Sequence, residues 1–265
     1  MGRNSLKNVM KLIDITNGTL GPEESFLQYL KSSIEKSNDS DYVPSKTIKP
    51  SSFNCIRNAY YQLIGLQPDS TKRPYNNAGI CESGTDRHIR MQLNLEKMHD
   101  VLDVNCEYIS VEDFVKRREL KDLEVVGKSG METKLYNKKY NMSFMCDGII
   151  RYEGKYYIFE FKTETSDKFY QRKGVDESHY VQAICYSLNF NLDDVLFLYE
   201  NRNTLDLKCY IFHVTEEMKK DVISKIETVL KCAEEKVVPS KPEDVLKKSC
   251  TYCAYKNQCE VDTWL

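Results

Sequence analysis

The sequence predicts an α/β domain in which a mixed central sheet is flanked by helices, and three observations carry that prediction. Residues 141–164 read as two apolar strands joined at Tyr152-Glu153-Gly154-Lys155, where Gly154 supplies the backbone freedom of a tight hairpin. The stretch ESHYVQAICYSLNF, Glu177 to Phe190, has helical periodicity and separates that hairpin from two further strands, Val195 to Tyr199 and Leu207 to Val214. A long amphipathic helix then runs from Thr215 to about Val237. Helix, three strands, helix and two strands in this order fit a sheet covered on its faces.

The remaining elements follow in chain order. Residues 1–50 read as an appendage: a helix from Glu24 to Lys36 with Phe26, Leu27, Leu30 and Ile34 as its apolar stripe, then the polar connection SNDSDYVPSKTIKP. The domain proper occupies residues 51–265. Ser51 or Ser52 can cap a helix containing FNCIRNAYYQLIG, which Gly65 ends. Asn76 to Leu102 is the next helical stretch and carries His88; a charged helical segment spans Glu112 to Lys121, and Met131 to Tyr136 has the character of a strand. Thr165 to Gly174 reads as a polar loop. Its Lys168, Arg172 and Lys173 beside Phe169 and Tyr170 would suit phosphates and bases, or simply water.

Composition sets the class. At 265 residues, 41% hydrophobic and 29% charged, the chain has the make-up of an ordinary globular protein with a substantial core. No apolar run is long enough to predict a membrane-spanning helix, and MGRNSLKNVM lacks both a secretory core and, with Leu6, the myristoylation pattern. A cytoplasmic protein is the expectation. Thirty-eight basic against forty acidic residues leave a net charge of −2, so any nucleic-acid contact must come from a local basic lining. Ten cysteines in such a chain point to thiols and metal ligands rather than disulfides.

The chemistry concentrates in two places. Strand alternation puts Glu160 and Lys162 on one face and Phe159 and Phe161 on the other, while Asp147 sits thirteen residues before Glu160 in the apolar run FMCDGII. A carboxylate buried there needs a cation or hydrogen bonds to offset its desolvation. At the far end, KKSCTYCAYKNQCEVDTWL brings Cys250, Cys253 and Cys259 within ten residues, a spacing that lets a loop wrap a metal centre. The cysteines at 81, 106, 146, 185, 209 and 232 are scattered and read as packing.

Asp147 followed by Glu160-x-Lys162 resembles the PD-(D/E)XK nuclease superfamily and its restriction-endonuclease-like core. Gly84-Thr85-Asp86-Arg87-His88 and Gln182-x-x-x-Tyr186 are similar to motifs of its RecB-like exonucleases. Cys55-x-Arg57-x-x-Tyr60-Tyr61 together with Cys250, Cys253 and Cys259 resembles the iron-sulfur type found in the CRISPR-associated Cas-four family. The resemblance covers roughly residues 51 to 260; it lacks the Pro that commonly precedes the Asp.

The resemblance implies a metal-dependent DNA exonuclease acting on single strands or DNA ends. Mn²⁺ or Mg²⁺ would be held by His88, Asp147, Glu160 and the main-chain carbonyl of Phe161, with Lys162, Gln182 and Tyr186 completing the catalytic set. Glu132 is expected beside that site rather than in it. Cys55 would join the terminal three thiolates in a four-cysteine clasp around an iron-sulfur cluster, 4Fe-4S first, although the same spacing admits Zn²⁺. DNA is the implied partner, with a helicase, recombination or CRISPR adaptation protein beside it and a homo-oligomer compatible. No G-x-x-x-x-G-K-[ST] loop is present, so any unwinding would come from a partner. The competing readings are a catalytically silent DNA-binding or assembly subunit, and a zinc-ribbon protein.

Overall fold

The computed structural model describes residues 21–37, 43–70, 75–129, 132–242 and 247–263. The chain divides into two units, residues 1–42 with 70–83 and residues 43–69 with 84–265. In the first, helix α1 (Pro22–Ser37) buries none of its residues, so the expected stripe stays exposed at Phe26, Leu27 and Leu30. Tyr75 N donates to Glu35 Oε1 at 2.9 Å and the Lys31 ammonium lies 5.7 Å from the Tyr75 ring centroid.

The second unit contains the sheets. After a 3-10 turn at Pro50–Ser52 come α2 (Ile56–Leu63), α3 (Tyr75–Glu96, whose residues from Gly84 onward belong to this unit), α4 (Met98–Leu102), β1 (Cys106–Ile109) and α5 (Val111–Arg117). Next are β2 (Leu123–Ser129), β3 (Glu132–Asn137), β4 (Met142–Cys146), β5 (Gly148–Tyr152) and β6 (Lys155–Glu164). Then follow α6 (Ser166–Gln171), a 3-10 turn at Glu177–His179, α7 (Tyr180–Phe190), β7 (Asp194–Asn201), β8 (Leu207–His213), α8 (Glu216–Glu235), α9 (Lys247–Thr251) and α10 (Lys256–Val261).

A five-stranded sheet has the order β1-β5-β6-β7-β8, antiparallel except for the parallel pair β6 and β7, whose crossover carries α6 and α7. This is the mixed sheet with helices that the element order predicts. A second, antiparallel sheet joins β2, β3 and β4. The hairpin turn falls at Glu153 and Gly154, both at positive φ, 48° and 79°, as a primed two-residue turn demands. Thr215 caps α8 by accepting from Met218 N, and Ser110 caps α5 by accepting from Asp113 N.

β6 is apolar on both faces because both are covered. Ile158 packs into the large core with Ala183, Cys185, Val195, Phe197, Val222 and Ile226; Phe159 and Phe161 pack on the other side with Met91, Ile150 and the partly buried Leu95, Leu196 and Leu198. Glu160 and Lys162 therefore share the α7 side, as alternation requires.

Several expectations are corrected. The arm 141–152 is not one strand: it breaks at Asp147, with β4 in the small sheet and β5 in the large one. The helix expected from Ser51 or Ser52 begins only at Ile56, with Cys55 in extended backbone at its N-cap. Strands β1 and β2 have no counterpart among the expected elements. The loop 165–174 contains α6; Phe169 is buried, and Arg172 pairs with Glu164 at 2.6 Å with both side chains under a tenth exposed. Neither is free to meet a nucleic acid. Cys81 and Cys209 are exposed rather than packed. No helix among the described residues is long and apolar enough to cross a membrane.

Candidate metal centre

Asp147 stands where the chain passes from one sheet to the other, and its carboxylate is 4% exposed. Two neighbours compensate its burial. Oδ1 lies 2.8 Å from His88 Nδ1, delivered by α3, and Oδ2 accepts from Phe161 N at 2.6 Å. Glu132, the first residue of β3, brings Oε1 to 3.5 Å from the same imidazole nitrogen. Among the described residues, His88, Glu132 and Asp147 form a three-residue group whose ligand atoms all lie within 4.8 Å of one another.

Glu160 lines the same cavity, of about 550 Å³, but stands outside that group of three. It is held by a network. Glu160 Oε1 accepts from Lys162 Nζ at 2.6 Å and from Gln182 Nε2 at 2.9 Å, and Lys162 Nζ also reaches Gln182 Oε1 at 3.1 Å. Gln182 Nε2 further donates to Tyr186 Oη, whose own proton goes to the Met145 carbonyl at 2.6 Å. Gln182 and Tyr186, four residues apart on α7, are both buried. Gln182 thereby touches both Glu160 and Lys162, and Gln182 and Tyr186 form part of the cavity wall.

The electrostatics follow from this crowding. Burial, then the Asp147 charge, pushes the Glu132 carboxyl up to about 7. Burial likewise raises Glu160 to about 7 even though the Lys162 charge opposes it. For His88, burial favours the neutral ring, but the Asp147 hydrogen bond and the charges of Asp147, Glu132 and Glu160 outweigh it and raise the pKa. Lys162 behaves the same way: burial works against its charge, and Glu160 more than restores it. One imidazole and three carboxyls are a donor set suited to a hard divalent cation, with the nitrogen tilting preference toward Mn²⁺ over Mg²⁺.

His88, Asp147, Glu160, Gln182 and Tyr186, all singled out by the sequence, line one cavity, with Lys162 bonded to Glu160 and Gln182, and Glu132, expected only beside the site, belongs to the group of three. Phe161 contributes its main-chain N–H to Asp147 while its ring packs 5.0 Å from the His88 ring, edge to face. Lys49 and Lys134, with Ser45 and Ser51, line the same cavity and give it a basic part that net charge conceals.

A second cavity, of about 290 Å³, is lined by Cys55, Cys250, Cys253 and Cys259, none in a disulfide. Their sulfurs do not form a group as tight as the carboxylate one. Arg57 spans the two ends of the chain here: it donates to Pro239 O at 2.9 Å, Cys259 O at 3.1 Å, Thr263 Oγ1 at 2.9 Å and Cys259 Sγ at 3.5 Å. Asn58 Nδ2 reaches Cys253 Sγ at 3.5 Å, and Tyr61 Oη donates to Asp262 Oδ2 at 2.6 Å. Burial raises the Cys55 thiol pKa, opposed by the main-chain N–H groups of Asn58 and Arg57.

No protein-family model and no curated protein matches this chain. Among solved structures it is similar to SSO0001, at 17% identity and TM-score 0.42 over 91% of this chain and 98% of that one. It is also similar to the LHK-Exo complex with dAMP, at 10% identity and TM-score 0.45 over 72% and 89% of the two chains. A further similarity is to the alkaline exonuclease LHK-Exo of Laribacter hongkongensis, at 8% identity and TM-score 0.37 over 77% and 93%. With likenesses this distant, function has to be read from the geometry of the site.

Proposed function

We propose that this chain is a metal-dependent DNA exonuclease that hydrolyses phosphodiester bonds of single strands or DNA ends. The observation that carries the reading is the convergence of His88, Glu132 and Asp147 in a cavity that also presents Glu160, itself paired with Lys162, and a basic part at Lys49 and Lys134. His88, Glu132, Asp147 and Glu160 would hold Mn²⁺ or Mg²⁺, and the family resemblance adds the Phe161 carbonyl. A bound ion supplies Lewis acidity to a phosphoryl oxygen and a more acidic water. The protein's own part is positional. Lys162, ion-paired to Glu160, acts as a cation toward charge developing on the phosphoryl group rather than as a neutral base. Gln182, anchored through Tyr186, keeps that pair in place. Lys49 and Lys134 are placed to hold backbone phosphates as the strand enters.

Four thiolates would hold a 4Fe-4S cluster in the second cavity, with the Arg57 and Asn58 N–H groups donating to two of the sulfurs. A tetrahedral Zn²⁺ would require sulfurs about 3.8 Å apart. The same four thiolates would serve either group, and colour separates the two.

The test is degradation of end-labelled single-stranded DNA with Mn²⁺ by wild type, Asp147→Ala and Lys162→Ala. Wild-type cleavage lost in both variants supports the reading; a wild type that binds DNA and cuts nothing with either metal replaces it with a silent binding subunit. Brown colour with broad visible absorbance marks iron-sulfur, and a colourless zinc-loaded protein overturns the cluster.

A further inference from the structure

Asp147 is gripped by its main chain as well as by its side chain. It belongs to neither β4 nor β5, and its carbonyl oxygen accepts two hydrogen bonds, from Gln92 Nε2 at 2.7 Å and from Tyr108 Oη at 2.6 Å. Gln92 follows His88 by four residues, so both lie on one face of α3, one turn apart. That face reaches the Asp147 carboxylate through His88 and the Asp147 carbonyl through Gln92.

Tyr108 arrives from the edge strand β1, where it pairs with Ile150. Its ring lies so close to Gly148 that a Cβ there would stand 2.4 Å from Tyr108 Cε2. Only a residue without a side chain leaves room for this phenol. Gln92 in turn is 1% exposed, and its Oε1 has no hydrogen-bond partner among the described residues. A buried, unpaired polar atom costs about 1–3 kcal/mol, a cost that an apolar side chain of similar size would avoid. The other half of the amide has a placement to enforce.

We infer that Gln92 and Tyr108 are positioning residues for the metal centre. They fix the Asp147 peptide where no strand ladder holds it, so that its carboxylate faces His88 and Glu132. The inference rests on the metal-dependent reading proposed above. Partners that orient a ligand residue in this way are worth about 10- to 100-fold in metal affinity.

The experiment titrates Mn²⁺ alone into the full chain and reads free Mn²⁺ by electron paramagnetic resonance, for wild type, Tyr108→Phe, Gln92→Leu and Tyr136→Phe. Tyr136 is the control: its phenol donates to Asn141 Oδ1 at 3.1 Å, away from Asp147. Tyr108→Phe keeps the ring and removes only the hydroxyl, so it retains the fold even where Gln92→Leu does not. Expected is Mn²⁺ binding about tenfold weaker in Tyr108→Phe and Gln92→Leu. Tyr136→Phe should match wild type, with metal-free melting of the two tyrosine variants alike. Mn²⁺ affinities equal to wild type in both variants overturn the clamp and leave the metal centre standing. A wild type that binds no Mn²⁺ overturns the metal centre and the clamp with it.

Discussion

The carboxylate cavity and the cysteine cavity are assembled by opposite means. In the first, buried charges compensate one another: Asp147 leans on His88, and Glu160 leans on Lys162 and Gln182. In the second, the walls around the thiols are tied together by Arg57 and Tyr61, which line the cavity, and by the pair Asn257 N to Asp69 Oδ2. A site built from charges fails when one of them is removed, because its partner is left buried and unpaired. A braced site fails when the brace goes, whatever becomes of its ligands.

The two can be broken separately. The largest effect is expected from Asp147→Ala, which should lower Mn²⁺-stimulated strand cleavage by about a thousandfold, roughly 4 kcal/mol, in an end-label assay. Visible absorbance should persist in the same protein, since no cysteine is touched. Arg57→Met should do the converse. Loss of its buried donors removes the bond to Pro239 O and leaves Cys259 O only its bond from Thr263 Oγ1, and should cost about 3 kcal/mol in denaturant unfolding. Absorbance should fall while the Mn²⁺ affinity of the remaining folded protein stays within about threefold of wild type.

Protonation sharpens the contrast. Glu132 and Glu160, pushed up to about 7, carry protons below that pH which a cation must displace. Apparent Mn²⁺ affinity should therefore rise with pH toward 7 and flatten above it. An affinity that is level across the interval would contradict the shared burial of these carboxyls. Glu132→Gln should weaken Mn²⁺ binding about tenfold by calorimetry, whereas a residue merely near the site would leave it unchanged. The smallest effect is expected far from both cavities: Gly154→Ala, at φ 79°, should cost about 1 kcal/mol in melting experiments without altering Mn²⁺ affinity.

Much of this contrast was legible in the chain. Alternation placed Glu160 and Lys162 on one face, Gly154 marked the hairpin, and the spacing of Gln182 and Tyr186 put both on one side of a helix. The break at Asp147 was not legible, because FMCDGII is apolar on both sides of the Asp and reads as one strand, while the Tyr108 ring packed on Gly148 just past the break comes from forty residues away. Arg172 looked like a phosphate contact because its eight-residue pairing with Glu164 depends on α6, which the polar sequence did not announce. Glu132 was underrated for a related reason: a carboxylate at a strand end is ordinary until the neighbouring strand brings Asp147 beside it.

The hairpin between β5 and β6 offers a practical opening. Its tip, Glu153 and Gly154, is exposed and lies at the opposite end of the strand pair from the Gly148 and Phe159 rung beside the carboxylates. A short epitope or a fluorophore-bearing loop grafted at that bend would ride on the strands that carry Asp147 and Glu160 while leaving the cleft mouth open. Immobilised or labelled by this handle, the protein could be studied one molecule at a time.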